Sequence, residues 1–176
     1  ECDKVLVGVG AQGNVDDIGL ETLGIATERS YIEIDDSMRT NVPGVYAIGD
    51  VTGKMPLAHV ASAQGVTAVE SMADLDPPRL DYELMPKATY CKPQIGSFGL
   101  TEAQALERGL SVKTGKFPAM ASGKALALGE TEGMVKLVVD SEVGDMVGAH
   151  MIGAEVTELL GELSMAKLLE STTREL

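Results

Sequence analysis

The sequence predicts a chain whose fold class changes partway along. The first part reads as α/β, running to about residue 80. The second reads as α+β with a mainly antiparallel sheet, from residue 81 to 176. Three observations carry this. Val45-Tyr46-Ala47-Ile48 is an unbroken apolar run, the pattern of a strand buried on both faces, and a long helical pattern follows it. Asp76-Pro77-Pro78-Arg79 then interrupts the chain, which places a boundary near Asp81. Beyond it, short strand patterns alternate with helical ones and include a hairpin.

Taken in order, Val5-Leu6-Val7-Gly8-Val9-Gly10 predicts a buried strand closed by glycine. Gly8, Gly10 and Gly13 imitate the spacing of a dinucleotide-binding loop. That reading fails because no long amphipathic helix opens at Gly13. Tyr31-Ile32-Glu33-Ile34-Asp35 alternates as a half-exposed strand. The run at Val45 ends at Gly49, and Asp50 puts a carboxylate at the carboxyl end of the strand, where open α/β sheets bind ligands. A helix is expected from Met55-Pro56-Leu57-Ala58-His59 to about Ala73, with Pro56 suited to its start. Ala58, Ala61, Gly65 and Ala68 give it a face of small residues. Such a face admits a neighbouring backbone or a flat ring.

In the second part, Ala88–Cys91, Ile95–Leu100 and Ser111–Phe117 read as strands. Thr101 with Gln104 forms a capping box for a helix ended by Gly109. Gly133–Val139 and Met146–Ile152 read as a hairpin. Ala154–Glu170 reads as one helix carrying Val156, Leu159, Leu160, Leu163 and Ala166 on a single face. Cys91, at the end of its strand, reads as a buried, inert thiol.

Composition bounds the function. Hydrophobic residues are 44% of the 176, enough for a core, while aromatics are 3% with no Trp, so that core is aliphatic. A net charge of −13 argues against a nucleic-acid partner, and the scarcity of aromatics against base stacking. No run approaches the length of a membrane helix. Two cysteines far apart in sequence suit neither a disulfide framework nor a metal site, so no metal is expected and a reducing, cytoplasmic setting is the default. A Cys2–Cys91 redox pair is a weak reading, since neither lies in a Cys-x-x-Cys motif. The chain opens at Glu1-Cys2-Asp3-Lys4 without Met and stops at Thr172-Thr173-Arg174-Glu175-Leu176, a helix-start pattern. Both ends suggest a piece of a longer protein, truncated in its second domain.

Thr40-Asn41-Val42-Pro43-Gly44-Val45-Tyr46-Ala47-Ile48-Gly49-Asp50 resembles the second flavin fingerprint of the pyridine nucleotide-disulfide oxidoreductases. The resemblance implies that Asp50 accepts a hydrogen bond from the ribityl chain of FAD, with Gly49 beside it. Leu57-Ala58-His59 resembles the Met-Leu-Ala-His motif of the dihydrolipoamide dehydrogenases in that family, with Pro56 where Met usually stands. It implies a helix N-terminus aimed at the flavin pyrimidine edge, with the Ala58 amide donating to a ring oxygen. His59 reads as structural rather than as a base. Gly10 matches a glycine beside the nicotinamide nucleotide, although Ala11 and Gly13 replace the family's Arg and Pro; an ordinary turn glycine fits equally. Tyr90 to Glu102, Lys116-Phe117-Pro118, Gly133–Leu137 and Gly148–Gly153 resemble the family's dimerisation domain in order.

The resemblance thus implies residues 1–80 as a remnant of the NAD/FAD-binding region and 81–176 as the dimerisation domain. It implies FAD and NAD as cofactors of the longer protein, a homodimer, and the lipoyl domains of a 2-oxo acid dehydrogenase complex as partners. The family's Cys-x4-Cys redox pair and its His-x-His-Pro segment are absent from these residues, and His150 falls within a strand. No catalytic residue is therefore expected in this chain, which by itself should be inactive. A non-catalytic dimerisation module, or a relative of the mercuric or glutathione reductases, are the alternatives.

Overall fold

The computed structural model describes residues 2–176; Glu1, with which the first predicted region begins, lies outside the described residues. The chain forms two compact units, Glu1–Leu80 and Asp81–Leu176.

The first unit is built on short elements around an aliphatic cluster. A four-residue helix, α1 (Leu20–Leu23), is followed by two short antiparallel strands, β1 (Thr27–Glu28) and β2 (Tyr31–Ile32). Val15, Leu20, Ile25, Ile32 and Ala47 form the cluster, with Ile34, Val42, Val45 and Val51 packed against it. Asn41 pins the turn that follows: its Oδ1 accepts from the Ala26 amide and its Nδ2 donates to the Gly24 carbonyl, both at 2.8 Å. The long helix, α2 (Ala58–Met72), buries Val60, Gln64, Thr67, Ala68 and Ser71.

Three expectations fail in this unit. Residues 5–9 form no strand; Leu6 is 95% exposed, because no partner among the described residues hydrogen-bonds with this segment. Val45–Ile48 is not a strand buried on both faces. It pairs on one side only, through a bridge between Arg39 and Tyr46, and Ile48 is exposed. The Ala47 amide donates to the Met38 carbonyl and the Thr40 amide to the Val45 carbonyl, so the segment is half of a small hairpin. The alternating stretch at Tyr31–Asp35 keeps strand pairing only at Tyr31 and Ile32.

The second unit is a five-stranded sheet covered by helices. Its elements are β3 (Lys87–Thr89), β4 (Gln94–Gly99), α3 (Glu102–Glu107), β5 (Val112–Pro118), α4 (Gly123–Leu128), β6 (Met134–Asp140), β7 (Met146–Gly153) and α5 (Leu160–Leu168). The strand order is β3-β4-β7-β6-β5, and every pairing is antiparallel. The sheet is thus α+β in character and antiparallel throughout. Phe98, Met146, Ala149 and Met151 form its inner surface against Val156, Leu160, Leu163 and Ala166. A second cluster of Leu100, Ala105 and Val138 seats α3. The capping box at its start is present, with the Gln104 amide donating to Thr101 Oγ1 and the Thr101 amide donating to Gln104 Oε1. Gly148 is required where it stands: a Cβ there would lie 2.1 Å from the Leu100 carbonyl oxygen.

The helix expected over Ala154–Glu170 is shorter and broken. Glu155 has φ 55°, Val156–Leu159 is a 3₁₀ turn, and α5 begins only at Leu160. The tighter turn changes the angular step per residue, and Leu159 points outward, 41% exposed, whereas its four predicted companions are buried. Gly123–Leu128 forms a helix that no strong apolar period announced.

Packing and charge yield two expectations. Phe98 is 1% exposed at the centre of the larger cluster, so Phe98→Ala should destabilise the second unit by about 3–5 kcal/mol in denaturant melts. Lys136 Nζ donates to Glu102 Oε2 at 2.7 Å and holds that carboxyl below its usual range. A lowered folded-state value means the contribution is present above the unfolded carboxyl pKa and is lost as pH falls through the folded one. The stability difference between the wild type and Lys136→Met, read as melting temperature, should therefore be present at neutral pH and close below about pH 4.

Candidate functional site

The turn after Tyr46 is held by buried polar side chains from two directions. Gly49 adopts φ 78° and ψ −158°, a conformation available essentially to glycine alone. Its amide donates to Gln64 Oε1 at 2.6 Å, and its carbonyl accepts from Thr52 Oγ1 at 2.8 Å and from the Thr52 amide at 3.0 Å. Gln64 is fully buried and Thr52 is 5% exposed. Asp50 follows directly, opening a 3₁₀ turn over Asp50–Thr52 with its carboxylate exposed.

The small face of α2 is what admits this turn. A Cβ on Gly49 would sit 3.5 Å from the Ala61 methyl, and one on Gly65 would sit 3.5 Å from Ile48 Cδ1. Two of the small residues noticed in sequence therefore lie against this stretch: Ala61 beside Gly49 and Gly65 beside the Ile48 side chain. Ala58 lies in the first turn of α2, exposed, and His59 is exposed beside it. Pro56 precedes the helix, Leu57 occupies the N-cap, and no side chain caps the helix there. His59 makes an interaction within the fold.

Gly10 stands in the extended N-terminal segment with φ 78° and open space where a Cβ would be. Its neighbour Ala11 accepts a hydrogen bond from the Tyr31 hydroxyl at 2.6 Å. A Cβ on Gly53 would lie 2.6 Å from the Tyr31 ring, so that ring covers the end of the Asp50 turn. Tyr31 thus fastens the Gly10 segment and braces the Asp50 turn. Sequence reasoning missed Gln64, Thr52 and Tyr31. The signal available for Gln64 was a polar side chain at a position of α2 flanked by apolar and small residues.

In the second unit, Cys91 is exposed, which overturns its reading as a buried thiol. β3 ends at Thr89, so Cys91 falls in the turn leading to the cis Lys92–Pro93 bond, where its thiol donates to the Pro93 carbonyl at 2.9 Å. His150 is half-buried on β7, its Nε2 3.0 Å from the Leu100 carbonyl. Among the described residues no group of three or more His, Cys, Asp or Glu could hold a metal ion, and no helix is long and apolar enough to cross a membrane.

Against known families, residues 85–176 match the pyridine nucleotide-disulphide oxidoreductase dimerisation domain, and residues 1–65 match the pyridine nucleotide-disulphide oxidoreductase domain. The chain belongs to this family. It is 51% identical to the dihydrolipoyl dehydrogenase of Corynebacterium glutamicum, over 99% of this chain and 38% of that protein. It is 50% identical to the dihydrolipoyl dehydrogenase of Mycobacterium leprae, over 100% of this chain and 38% of that protein. The chain therefore spans 38% of the length of these curated relatives. The crystal structure of LpdA from Mycobacterium tuberculosis superposes with a TM-score of 0.84 at 25% identity, covering 95% of this chain and 37% of that one. The HOCl-induced flavoprotein disulfide reductase RclA from Escherichia coli gives a TM-score of 0.81 at 23% identity, over 93% of this chain and 38% of that one, a likeness of fold.

Proposed function

We propose that this chain is part of a flavin-dependent disulfide oxidoreductase of the dihydrolipoyl dehydrogenase type. In this reading the longer protein oxidises dihydrolipoamide with NAD, and this chain contributes one edge of the FAD site and the dimerisation domain. The observation that carries it is the Asp50 turn: an exposed carboxylate on a glycine-specific backbone locked to α2. The identity to two dihydrolipoyl dehydrogenases, 51% and 50%, favours this type over mercuric or glutathione reductases.

The residues present fit an FAD held at its ribityl and pyrimidine edges. α2 begins without a side-chain cap and with Ala58 exposed, so its positive end can serve a ligand that carries negative charge. Asp50 supplies an acceptor for a hydroxyl. Gly49, Pro56 and Leu57 shape the backbone between the two, and His59 is read as structural. Gly10, on the segment fastened by Tyr31, is read as lying towards the nicotinamide nucleotide. When bound, FAD supplies the two-electron chemistry between dithiol and NAD; the residues of this chain bind and orient it.

The polypeptide as it stands is proposed to be inactive. The Cys-x4-Cys pair and the His-x-His-Pro segment that the family's reaction uses are not in this sequence. Its own role is then assembly: a homodimer through the second unit, within a protein that serves the lipoyl domains of a 2-oxo acid dehydrogenase complex. Cys2 and Cys91 are both free, which suits a reducing, cytoplasmic setting. A depression of about 390 Å³ in the second unit is lined by Phe117, Leu128, Met134 and Leu159, all exposed, and Met120, Leu126 and Leu168 are exposed in the same unit. So much apolar surface suits a self-complementary two-fold contact.

Two measurements test this. In the full-length protein, Asp50→Ala should weaken FAD binding by about tenfold, the effect of one lost acceptor for a charge-assisted hydrogen bond, read by flavin fluorescence on titration of the apoprotein. Unchanged affinity removes Asp50 from the site. Light scattering of the chain at micromolar concentration should give a mass approaching twice that of one chain and rising with concentration; a strict monomer would place the interface elsewhere.

A further inference from the structure

We propose that Gln64 is a positioning residue for the flavin site, acting through Gly49 on the Asp50 carboxylate. The inference rests on the reading of Asp50 given above. Gln64 lies in the second turn of α2 and is fully buried. A wholly buried polar side chain in an aliphatic unit is costly unless its hydrogen bonds are made. What Gln64 holds is the one backbone amide whose orientation sets the next residue: Gly49 N–H donates to its Oε1 at 2.6 Å.

The geometry makes this bond a coupling between two ligand-facing elements. Gly49, at φ 78° and ψ −158°, sits where no other residue is comfortable, and such a conformation persists only when its surroundings over-determine it. Thr52 grips the carbonyl side through its own hydroxyl and amide. Gln64 grips the amide side. The first grip is local, within the Asp50–Thr52 turn, and cannot relate that turn to anything else. The second comes from α2, the helix whose first turn holds Ala58. Gln64 therefore sets where the Asp50 carboxylate stands relative to the N-terminus of α2, which is the spacing that a ligand bridging both must match. Ala61 and Gly65 leave the room for this approach but carry no directional bond.

The test uses the full-length protein in four forms: wild type, Gln64→Leu, Asp50→Ala and the double variant. Gln64→Glu serves as the conservative control, since it keeps an acceptor oxygen at the same reach. Gln64→Leu should raise the FAD dissociation constant by up to about tenfold, no more than the loss expected for Asp50→Ala, because the Asp50 acceptor is no longer held in place. Gln64→Glu should recover most of that loss. The decisive reading is non-additivity. If Gln64 acts through Asp50, Gln64→Leu should add little further loss in the Asp50→Ala background. Equal losses in both backgrounds would reduce Gln64 to a structural residue and overturn the proposal. So would unchanged FAD affinity in Gln64→Leu. Amide exchange at Gly49, measured without flavin, separates the premises: it should accelerate in Gln64→Leu whether or not Asp50 contacts flavin. Slow exchange there would refute the clamp itself. Accelerated exchange with Asp50→Ala binding FAD as wild type would instead refute the flavin reading, and the positioning role with it.

Discussion

The hydrogen bond from the Gly49 amide to the buried Gln64 side chain is the constraint on which the first unit's site depends. Tyr31 braces the Asp50 turn, and this bond ties the turn to α2. It also accounts for the residues around it. Position 49 must be glycine for its dihedral angles. Ala61 and Gly65 lie beside Gly49 and the Ile48 side chain, where they leave room for the turn. The Thr52 hydroxyl and amide both donate to the Gly49 carbonyl.

The order of this unit comes from such specific bonds more than from its sheet. β1 and β2 have two residues each, and the apolar cluster holds five buried side chains. Asn41 and Thr40 do for the preceding turn what Gln64 and Thr52 do for the Asp50 turn, satisfying backbone groups that no ladder reaches. The second unit is organised the other way. Its long antiparallel ladders satisfy the backbone almost wholly, and its side chains are left to pack. Some of its polar contacts, such as Arg108 with Glu83, are exposed ion pairs. Contacts of that kind add little to stability in water.

Legibility followed the same division. In the second unit, alternation along β4, β6 and β7 and the Thr101-Gln104 capping box were readable because they depend on local periodicity and on one short-range bond. The start of α5 was not, since a positive φ at Glu155 and a 3₁₀ turn leave the apolar spacing unchanged while rotating Leu159 outward. Cys91 was misread by a shift of two residues at the end of β3, which carried it from a strand into a turn. In the first unit, the residues proposed for the site stand out in sequence only as a resemblance, from Thr40 to Asp50 and from Pro56 to His59. The strands assigned from apolar runs at Val5 and Val45 were not borne out. An apolar run states that a segment can be buried on two faces; it does not supply the neighbouring strands that would bury it. The role of Gln64 was not legible for a related reason: its polar position on α2 could be seen, but its partner is fifteen positions away and chosen by tertiary approach.

The two units also differ in what their exposed apolar groups imply. In the first, Val66, Val69 and Met72 are exposed along α2. In the second, Phe117, Met120, Leu126 and Leu128 belong to β5, the turn after it and α4, an edge strand and the segment that follows it. An edge strand with aromatic and aliphatic groups exposed beside it is a surface that isolated proteins avoid. β5 carries Lys113 and Lys116 among these groups, and Lys116 lies opposite Lys136 in the ladder. Charges of that kind discourage further strand pairing along the edge while leaving the apolar side chains available. The combination favours contact through side-chain faces over extension of the sheet.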